Sequence, residues 1–201
     1  MSGEPIIEPS RPRTLDEPSA NGPRNSKRRS RVLLEWVFVV LFALVASFLM
    51  RSYVFQTFYI PSGSMEPTLL IGDRIIVNKI SVDFGTIHIG DILVFKAPPT
   101  VHCGETVTDL VKRVIGLPGD HLTSRGNTIY VNGKPLVENW PHIEPLGQAI
   151  GNVTVPANHY FMMGDNHPNS CDSRYWGTVP RSDIIGKAFI RIWPLSRFGF
   201  L

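Results

Sequence analysis

A turn at residues 61–68, with the sequence Pro-Ser-Gly-Ser-Met-Glu-Pro-Thr, carries the first group that could do chemistry. Ser64 lies there between Gly63 and Met65, and Ser62 adds a second hydroxyl two residues earlier. Gly63 lets the backbone bend or approach a ligand closely, and two prolines stiffen the ends of the turn. A serine hydroxyl becomes a nucleophile when a base removes its proton. Turns of this composition are also common as plain connections between strands.

Lys112 is the candidate base with the most informative surroundings. Residues 109–115 form a predicted strand in which Leu110, Lys112 and Val114 point to one face. A lysine buried between these apolar neighbours is expected to have a lowered pKa, because desolvation disfavours the ammonium. A neutral lysine is the base in Ser-Lys hydrolases. One alternative is that Lys112 lies on an edge strand and its ammonium group reaches water. Another is that the base is a histidine, but none of the six histidines stands in a triad motif.

A third polar stretch, residues 164–177, is dense in hydrogen-bonding side chains. Five of them lie within ten residues: Asp165, Asn166, Ser170, Asp172 and Arg174. Such density suits a loop that braces other groups through a hydrogen-bond network. The alternative is a solvated surface loop, but the adjacent Tyr175 and Trp176 need to bury area.

Short strands separated by turns are predicted to position these three stretches. Glycine and proline are frequent, 17 each, which favours many turns over long helices. Strands are predicted over residues 53–60, 74–80, 91–96, 109–115, 159–163 and 188–193. Asn132-Gly133 indicates a hairpin within a small β insertion at 121–163. The predicted fold class is therefore mainly β, a domain of antiparallel sheets.

The N-terminal part of the chain has a different composition. Residues 1–31 contain five prolines and many charges, which predicts a disordered tail. In residues 32–50, seventeen of nineteen side chains are apolar, and a helix of this length spans roughly 28 Å, about one hydrocarbon core. The basic residues that precede it place the tail in the cytoplasm. We expect a single transmembrane anchor at 32–51 and an extracytoplasmic domain at 52–201.

Two other interpretations of the apolar segment are less well supported. A buried helix of a soluble protein is seldom apolar on every face over nineteen residues. A cleaved signal peptide would have a shorter preceding tail, and Met50-Arg51-Ser52-Tyr53 offers no clear small-x-small cleavage site. An uncleaved anchor is therefore expected.

Charge and cysteine content exclude several classes of protein. Residues 1–31 carry seven Lys/Arg and four Asp/Glu, whereas the remaining 170 residues carry thirteen of each. The folded part thus has no bulk charge suited to nucleic acid. Cys103 and Cys171, the only cysteines, cannot make a disulfide scaffold or a four-cysteine metal site. A disulfide between them is chemically possible in an exported domain, but the sequence does not show whether they approach.

Taken together, these blocks resemble the motifs of bacterial type I signal peptidases, and they follow the family's order behind the expected anchor. The matching blocks are Pro61 to Leu69, Gly72-Asp73, Lys112 to Asp120, Gly164-Asp165-Asn166, Ser170, and Asp172 to Gly177. Each block is moderately specific, and together they are very specific. The resemblance covers roughly residues 32–196.

The resemblance implies a membrane-bound serine endopeptidase that removes signal peptides from secreted preproteins after small-x-small sites. It implies a single-pass protein of the bacterial inner membrane, in contact with the lipid bilayer, with its catalytic domain on the extracytoplasmic side. No metal, cofactor or nucleic acid is expected, and the oligomeric state stays open.

The resemblance also implies roles for several of the matching residues. Ser64 would be the nucleophile and Lys112 the general base, while the Ser64 N–H and the Ser62 hydroxyl would form the oxyanion hole. Ser170 would hydrogen-bond the lysine. The remaining polar residues would brace the region: Asp172 paired with Arg174, and Asp165. The candidate walls of the pockets for positions −1 and −3 of the substrate are Phe58, Ile60, Met65, Leu69 and Val111.

One departure from the family pattern and two rival functions accompany this prediction. His167-Pro168 stands where the family usually shows Arg-Asp, so the local turn can differ. The rivals are a self-cleaving repressor with a related Ser-Lys core and a membrane-tethered β binding module that has lost catalysis. The apolar segment and the absence of a basic DNA-reading region count against the first, and the intact polar residues count against the second.

Overall fold

The structure is a computed structural model that describes residues 26–99 and 108–201. Most of the predicted disordered tail and Cys103 lie outside the described residues. The chain divides into two units, with the boundary between Leu44 and Val45.

The first helix, α1, spans Ser26–Tyr53. It begins within the predicted tail and continues two residues beyond the predicted anchor. Its large apolar side chains from Val32 to Phe48 are exposed. Within the described part of the chain, no helix meets the length and hydropathy criteria for a membrane span.

In the described part of the chain, twelve strands and two four-residue helices make up most of the regular structure after α1. The strands are β1 Phe55–Tyr59, β2 Arg74–Asn78, β3 Ile92–Lys96, β4 Asp109–Gly116, β5 His121–Arg125, β6 Thr128–Val131, β7 Lys134–Pro135, β8 Val153–Thr154, β9 His159–Met163, β10 Val179–Pro180, β11 Ile184–Trp193 and β12 Gly199–Phe200. The helices are α2 Ile80–Asp83 and α3 Ser173–Trp176. Single 3₁₀ turns lie at Gly63–Met65, His167–Asn169, Arg181–Asp183 and Leu195–Arg197.

These strands form two antiparallel sheets, which confirms the predicted mainly β fold class. The first sheet has the order β1-β2-β11-β3-β4-β9-β10, with β12 paired to β11. The second has the order β7-β6-β5-β8. Asn132 and Gly133 connect β6 to β7 with positive φ angles of 52° and 77°, the conformation that an Asn-Gly hairpin turn requires. The domain boundaries stay predictions: β9 pairs with β4 in the first sheet, although the predicted insertion included it.

β4 shows why one strand can carry both core and site residues. Leu110 and Val114 pack into one apolar cluster, whereas Val111 packs against a second cluster on the other face. Lys112 lies on the face of Leu110 and Val114, and only 2% of it is exposed. The strand alternation predicted from the sequence is therefore confirmed, and the lysine is buried rather than reaching water.

Cys171 is bonded in a disulfide, and its side chain packs against the cluster that contains Leu110. The partner predicted as chemically possible, Cys103, lies outside the described residues.

Candidate active site

The Ser64 turn is part of the connection between β1 and β2. The base of this connection is closed by two backbone hydrogen bonds, from Ile60 N to Asp73 O at 3.0 Å and from Gly72 N to Ile60 O at 2.9 Å. Met65 is buried in the apolar cluster below the turn, so this side chain anchors the short 3₁₀ segment. Ser64 itself stays partly exposed, and its hydroxyl is presented above the core.

The connection is also held from its far side by arginines near the end of the chain. Arg191 donates from Nη1 to the carbonyl of Thr68 at 2.7 Å, and Arg197 donates from Nη1 to both Asp73 carboxylate oxygens at 2.8 and 3.0 Å. Burial lowers the pKa of Arg191, and the neighbouring Arg197 charge lowers it further, while Asp73 opposes the shift. The loop that carries Ser64 is thus fixed on both sides.

Lys112 and Ser64 meet although they lie 48 residues apart in the sequence. The Lys112 Nζ donates to Ser64 Oγ at a distance of 2.5 Å. Burial of an amine disfavours its charged form, and an amine at hydrogen-bonding distance from a hydroxyl can accept its proton. The structure therefore brings the predicted nucleophile and the predicted base into direct contact.

Ser62 lies beside this pair in extended backbone conformation, with φ −130° and ψ 159°. Its Oγ is 3.5 Å from the Ser64 Oγ, at the outer limit of a hydrogen bond. Ser62 and Ser64 both line the same cleft. Both serines therefore border one binding space, and the oxyanion role of Ser62 stays a prediction.

The predicted ion pair between Asp172 and Arg174 is present and fully buried. Both side chains are 0% exposed, and the guanidinium donates to the carboxylate twice, at 2.8 Å from Nε and 2.7 Å from Nη2. Arg174 also donates to the backbone carbonyls of Leu146 and His167, and Asp172 accepts from the Gly164 N–H at 3.2 Å. This pair therefore fixes the loop at several backbone positions.

Ser170 departs from its predicted contact. It is 4% exposed, and its Oγ makes no hydrogen bond within the described part of the chain. The predicted hydrogen bond from Ser170 to Lys112 is therefore not formed in this structure. The Ser170 hydroxyl nevertheless lies close to the Ser64 backbone, because a Cβ atom added to Gly164 would be 2.3 Å from Ser170 Oγ and 2.2 Å from the Ser64 carbonyl oxygen.

Asp165 supports the site through a residue that the sequence analysis missed. The Arg113 guanidinium donates to both Asp165 oxygens, at 2.8 and 2.6 Å, and both side chains are buried. Thr68 donates its hydroxyl to the same carboxylate at 2.5 Å, and Arg113 lies over the ring of Trp140. The buried bidentate pair Arg113–Asp165 thus joins β4 to the loop after β9. Thr68 links the Ser64 connection to the same pair. The available signal was the position of Arg113 directly after Lys112, on the opposite strand face.

Asn166 is a second residue to which the sequence analysis assigned no role. Its Nδ2 donates to the carbonyl of Gly63 at 3.0 Å, and its backbone N–H donates to the carbonyl of Ser64 at 3.1 Å. Both contacts join the loop after β9 directly to the nucleophile turn. The sequence signals were its place next to Asp165 in a stretch dense in polar side chains and its membership of the matching block Gly164-Asp165-Asn166.

His167 shows how the departure from the family pattern is accommodated. It opens the 3₁₀ turn His167–Asn169 and is buried, with its Nε2 3.4 Å from Glu138 Oε1. Its ring stacks on His142 at a centroid distance of 5.3 Å. Arg174 still binds the His167 carbonyl. Among the histidines that the structure describes, none hydrogen-bonds Ser64, so the histidine-base alternative gains no support.

A cleft of about 360 Å³ opens beside the Ser64–Lys112 pair. Four of the five predicted pocket walls line it: Phe58, Ile60, Met65 and Val111. Leu69, the fifth, is not among the lining residues and is fully buried in the apolar cluster behind Met65. Its N–H donates to the Met65 carbonyl at 2.8 Å. This part of the loop therefore packs in the core rather than along the cleft.

Gly164 offers a sharp test of how closely the two loops approach. A methyl group added there would lie 2.2 Å from Ser64 O and 2.3 Å from Ser170 Oγ. We expect Gly164→Ala to shift Ser64, to lower kcat/KM for peptide cleavage by about 10²-fold and to reduce the free energy of unfolding by about 1–3 kcal/mol. Gly151→Ala is the matched control, because a methyl there meets open space. Equal activity of the two variants would contradict this packing.

A serine hydroxyl in contact with a buried lysine beside an open cleft is the arrangement of Ser-Lys hydrolases. Comparison with known proteins identifies the family. A family model described as "Signal peptidase, peptidase S26" matches residues 33–193. The chain belongs to this family, and the resemblance predicted from its motif blocks is confirmed.

Two curated relatives agree with this assignment. "Signal peptidase I" from Leptolyngbya laminosa is 40% identical over 94% of this chain and 93% of its own length. "Probable signal peptidase I-2" from a Synechocystis strain is 43% identical over 79% of this chain and 72% of its own length. A signal peptidase I from Enterococcus faecalis, known from a crystal structure, is 32% identical in sequence to this chain. The structural match has a TM-score of 0.42 and covers 51% of this chain and 96% of that chain.

Proposed function

We propose that this protein is a membrane-bound serine endopeptidase that cleaves signal peptides from exported preproteins after small-x-small sites. The observation that carries the proposal is the 2.5 Å hydrogen bond between Lys112 Nζ and Ser64 Oγ. It joins the candidate base to the candidate nucleophile at the side of the cleft. The names of the relatives support signal peptides as the substrate class.

The chemistry follows from these contacts. Ser64 Oγ attacks the carbonyl carbon of the scissile bond while its proton passes to neutral Lys112 Nζ. The negative charge moves to the carbonyl oxygen, where the Ser64 N–H and the Ser62 hydroxyl stabilise it, typically by about 3 kcal/mol per donor. Lys112 then gives its proton to the leaving amine, and the acyl group stays on Ser64. A water molecule, deprotonated by Lys112, releases the acyl group and regenerates the serine.

The cleft walls favour an extended peptide with small side chains. Within the described residues, the pairing of β4 with β9 starts at Arg113, whereas Asp109 to Val111 pair with β3. An extended peptide can add as a strand beside this part of β4, next to the cleft. The apolar walls Phe58, Ile60 and Val111 flank that path. Shallow apolar walls accept alanine-sized side chains at positions −1 and −3 and exclude larger ones.

The proposal extends to the membrane anchor at residues 32–51. Seventeen of the nineteen residues at 32–50 are apolar, and five basic residues precede them between residues 24 and 31. This charge bias favours a cytoplasmic N-terminus and a catalytic domain on the extracytoplasmic face. Extraction of bacterial membranes with alkaline carbonate tests the anchor. Retention of the full chain in the membrane pellet is expected, and its release into the supernatant would contradict the anchor.

Cleavage of a preprotein with Ala at positions −3 and −1 tests the proposed activity. The purified full chain is expected to cut after position −1, and N-terminal sequencing of the product identifies the bond. A matched preprotein with Trp at −1 is the control and is expected to stay intact. Failure to cut either preprotein would favour the alternative function, a catalytically silent membrane-tethered binding module.

A further inference from the structure

The carbonyl oxygen of Gly63 accepts two hydrogen bonds directly beside the nucleophile. Asn166 Nδ2 donates to it at 3.0 Å, and the Glu66 N–H donates at 3.1 Å. A carbonyl oxygen has two lone pairs, so both acceptor positions are occupied. The direction of this carbonyl is therefore fixed, with its oxygen toward the loop that carries Asn166.

We propose that Asn166 is a positioning residue that sets the direction of the Ser64 N–H as an oxyanion-hole donor. This inference rests on the proposed function. The Gly63 carbonyl and the Ser64 N–H belong to one planar peptide unit, which is trans, so the two groups point in opposite directions. When Asn166 holds the carbonyl toward its own loop, the N–H must point the other way. Ser64 lines the cleft, whereas neither Gly63 nor Asn166 does.

Asn166 is itself held firmly enough for this task. It is 4% exposed, and its backbone forms a parallel bridge with Ile143. The neighbouring hydrogen bonds run from Ile143 N to Asp165 O at 2.8 Å and from His167 N to Ile143 O at 3.2 Å. The reverse orientation of the side-chain amide would place its oxygen against the Gly63 carbonyl oxygen. The donor orientation is therefore the favourable one.

Asn166 makes one contact through its backbone and another through its side chain, so the two contacts can be tested separately. The Asn166 N–H bonds the Ser64 carbonyl at 3.1 Å, and a substitution leaves that contact in place. Only the Nδ2 contact to Gly63 O is lost. A change at this side chain therefore tests the orientation of one peptide unit and spares the connection between the two loops.

Asn166→Asp and Asn166→Ala test the proposal. The first replaces the donor with an acceptor that repels the Gly63 carbonyl, and the second removes the donor without adding charge. Removal of a whole oxyanion donor costs about 10²–10³-fold in kcat, so misdirection of one donor is expected to lower kcat by about 10- to 100-fold. KM is expected to stay within about twofold, because the ground-state contacts are kept. Asn169→Asp, the same change at an exposed residue of the same loop, is the control and is expected to act like the wild type.

Two inhibitors give a readout that a merely structural role would not move. A peptide aldehyde ending at position −1 accepts Ser64 Oγ at its carbonyl carbon, and the π electron pair moves to the oxygen in the hole. A matched peptide with a methylene group in place of the scissile carbonyl has no such oxygen. In both Asn166 variants, the affinity for the aldehyde is expected to fall by the same factor as kcat. The affinity for the methylene peptide is expected to stay within about twofold of the wild-type value. In Asn166→Ala, which adds no charge, the midpoint of the pH–rate profile is expected to stay unchanged, because Lys112 keeps its contact with Ser64.

The outcomes that would overturn this inference are distinct from failure of the proposed function. Wild-type kcat in a folded Asn166→Ala would contradict it, as would an equal loss of affinity for both inhibitors. A shifted pH midpoint in Asn166→Ala would assign Asn166 to the base instead. If the wild type cleaves no preprotein and binds the aldehyde no better than the methylene peptide, the proposed function itself is wrong. If Asn166→Asp does not fold, as shown by its thermal melt, Asn166→Ala decides the matter.

Discussion

Ser64→Ala is expected to reduce cleavage of an Ala-x-Ala preprotein by about 10⁴- to 10⁶-fold, the range seen when a serine nucleophile is removed. Ser64 Oγ is the atom that Lys112 Nζ contacts at 2.5 Å, and alanine offers no atom for the attack. The fold is expected to persist, because the turn is anchored by Met65 and by backbone hydrogen bonds rather than by the hydroxyl. Single-turnover cleavage measures the effect, and circular dichroism checks the fold.

Ser182→Ala is a matched control for this variant. Ser182 is an exposed serine in the 3₁₀ turn Arg181–Asp183, away from the residues that line the cleft beside Ser64. Its substitution is expected to leave cleavage unchanged. Wild-type-like processing by purified Ser64→Ala would remove Ser64 from the mechanism.

Lys112→Met is expected to cause a loss of similar size. The methionine side chain is nearly as long as that of lysine and fills the same buried site, but it cannot accept the Ser64 proton. Stability is expected to stay close to wild type, because an apolar side chain joins Leu110 and Val114 on the same strand face. The exposed Lys96 on β3 provides the control variant Lys96→Met, which is expected to cleave normally. Normal cleavage by Lys112→Met would show that another group is the base.

The pH profile of the wild type tests the same assignment without a mutation. Only the neutral amine accepts a proton, so cleavage is expected to rise with pH as one group loses its proton and to fall as pH is lowered. Burial of Lys112 disfavours the ammonium, which places this rise below the ordinary lysine value of about 10.4. A rise governed by a group near 6.5 would indicate a histidine base instead.

The sequence predicted those parts of the site that depend on local patterns. Alternation along one strand was enough to place Lys112 between two apolar neighbours, and the Asn132-Gly133 turn was readable from its φ requirements. The motif blocks then identified the family. In each case the deciding information lies within a few consecutive residues.

The parts that were missed depend on long-range contacts. Arg113 meets Asp165 across 52 residues, and Asn166 reaches Gly63 across 103 residues, and no local pattern encodes such pairs. The resemblance implied Leu69 as a candidate pocket wall, but Leu69 is fully buried in the core, where its N–H bonds the Met65 carbonyl. The orientation of the Ser170 hydroxyl likewise depends on how the loop after β9 packs against the Ser64 turn.

Rapid acid quenching during turnover of a peptide ester tests the central claim most directly. The ester ends in an Ala-x-Ala acyl group, and peptide mapping by mass spectrometry locates the trapped intermediate. We predict that the acyl mass appears on Ser64 in the wild type, forms more slowly at lower pH, and is absent from Ser64→Ala. Hydrolysis of the ester without any acyl-enzyme, or an acyl group on another residue, would contradict the account.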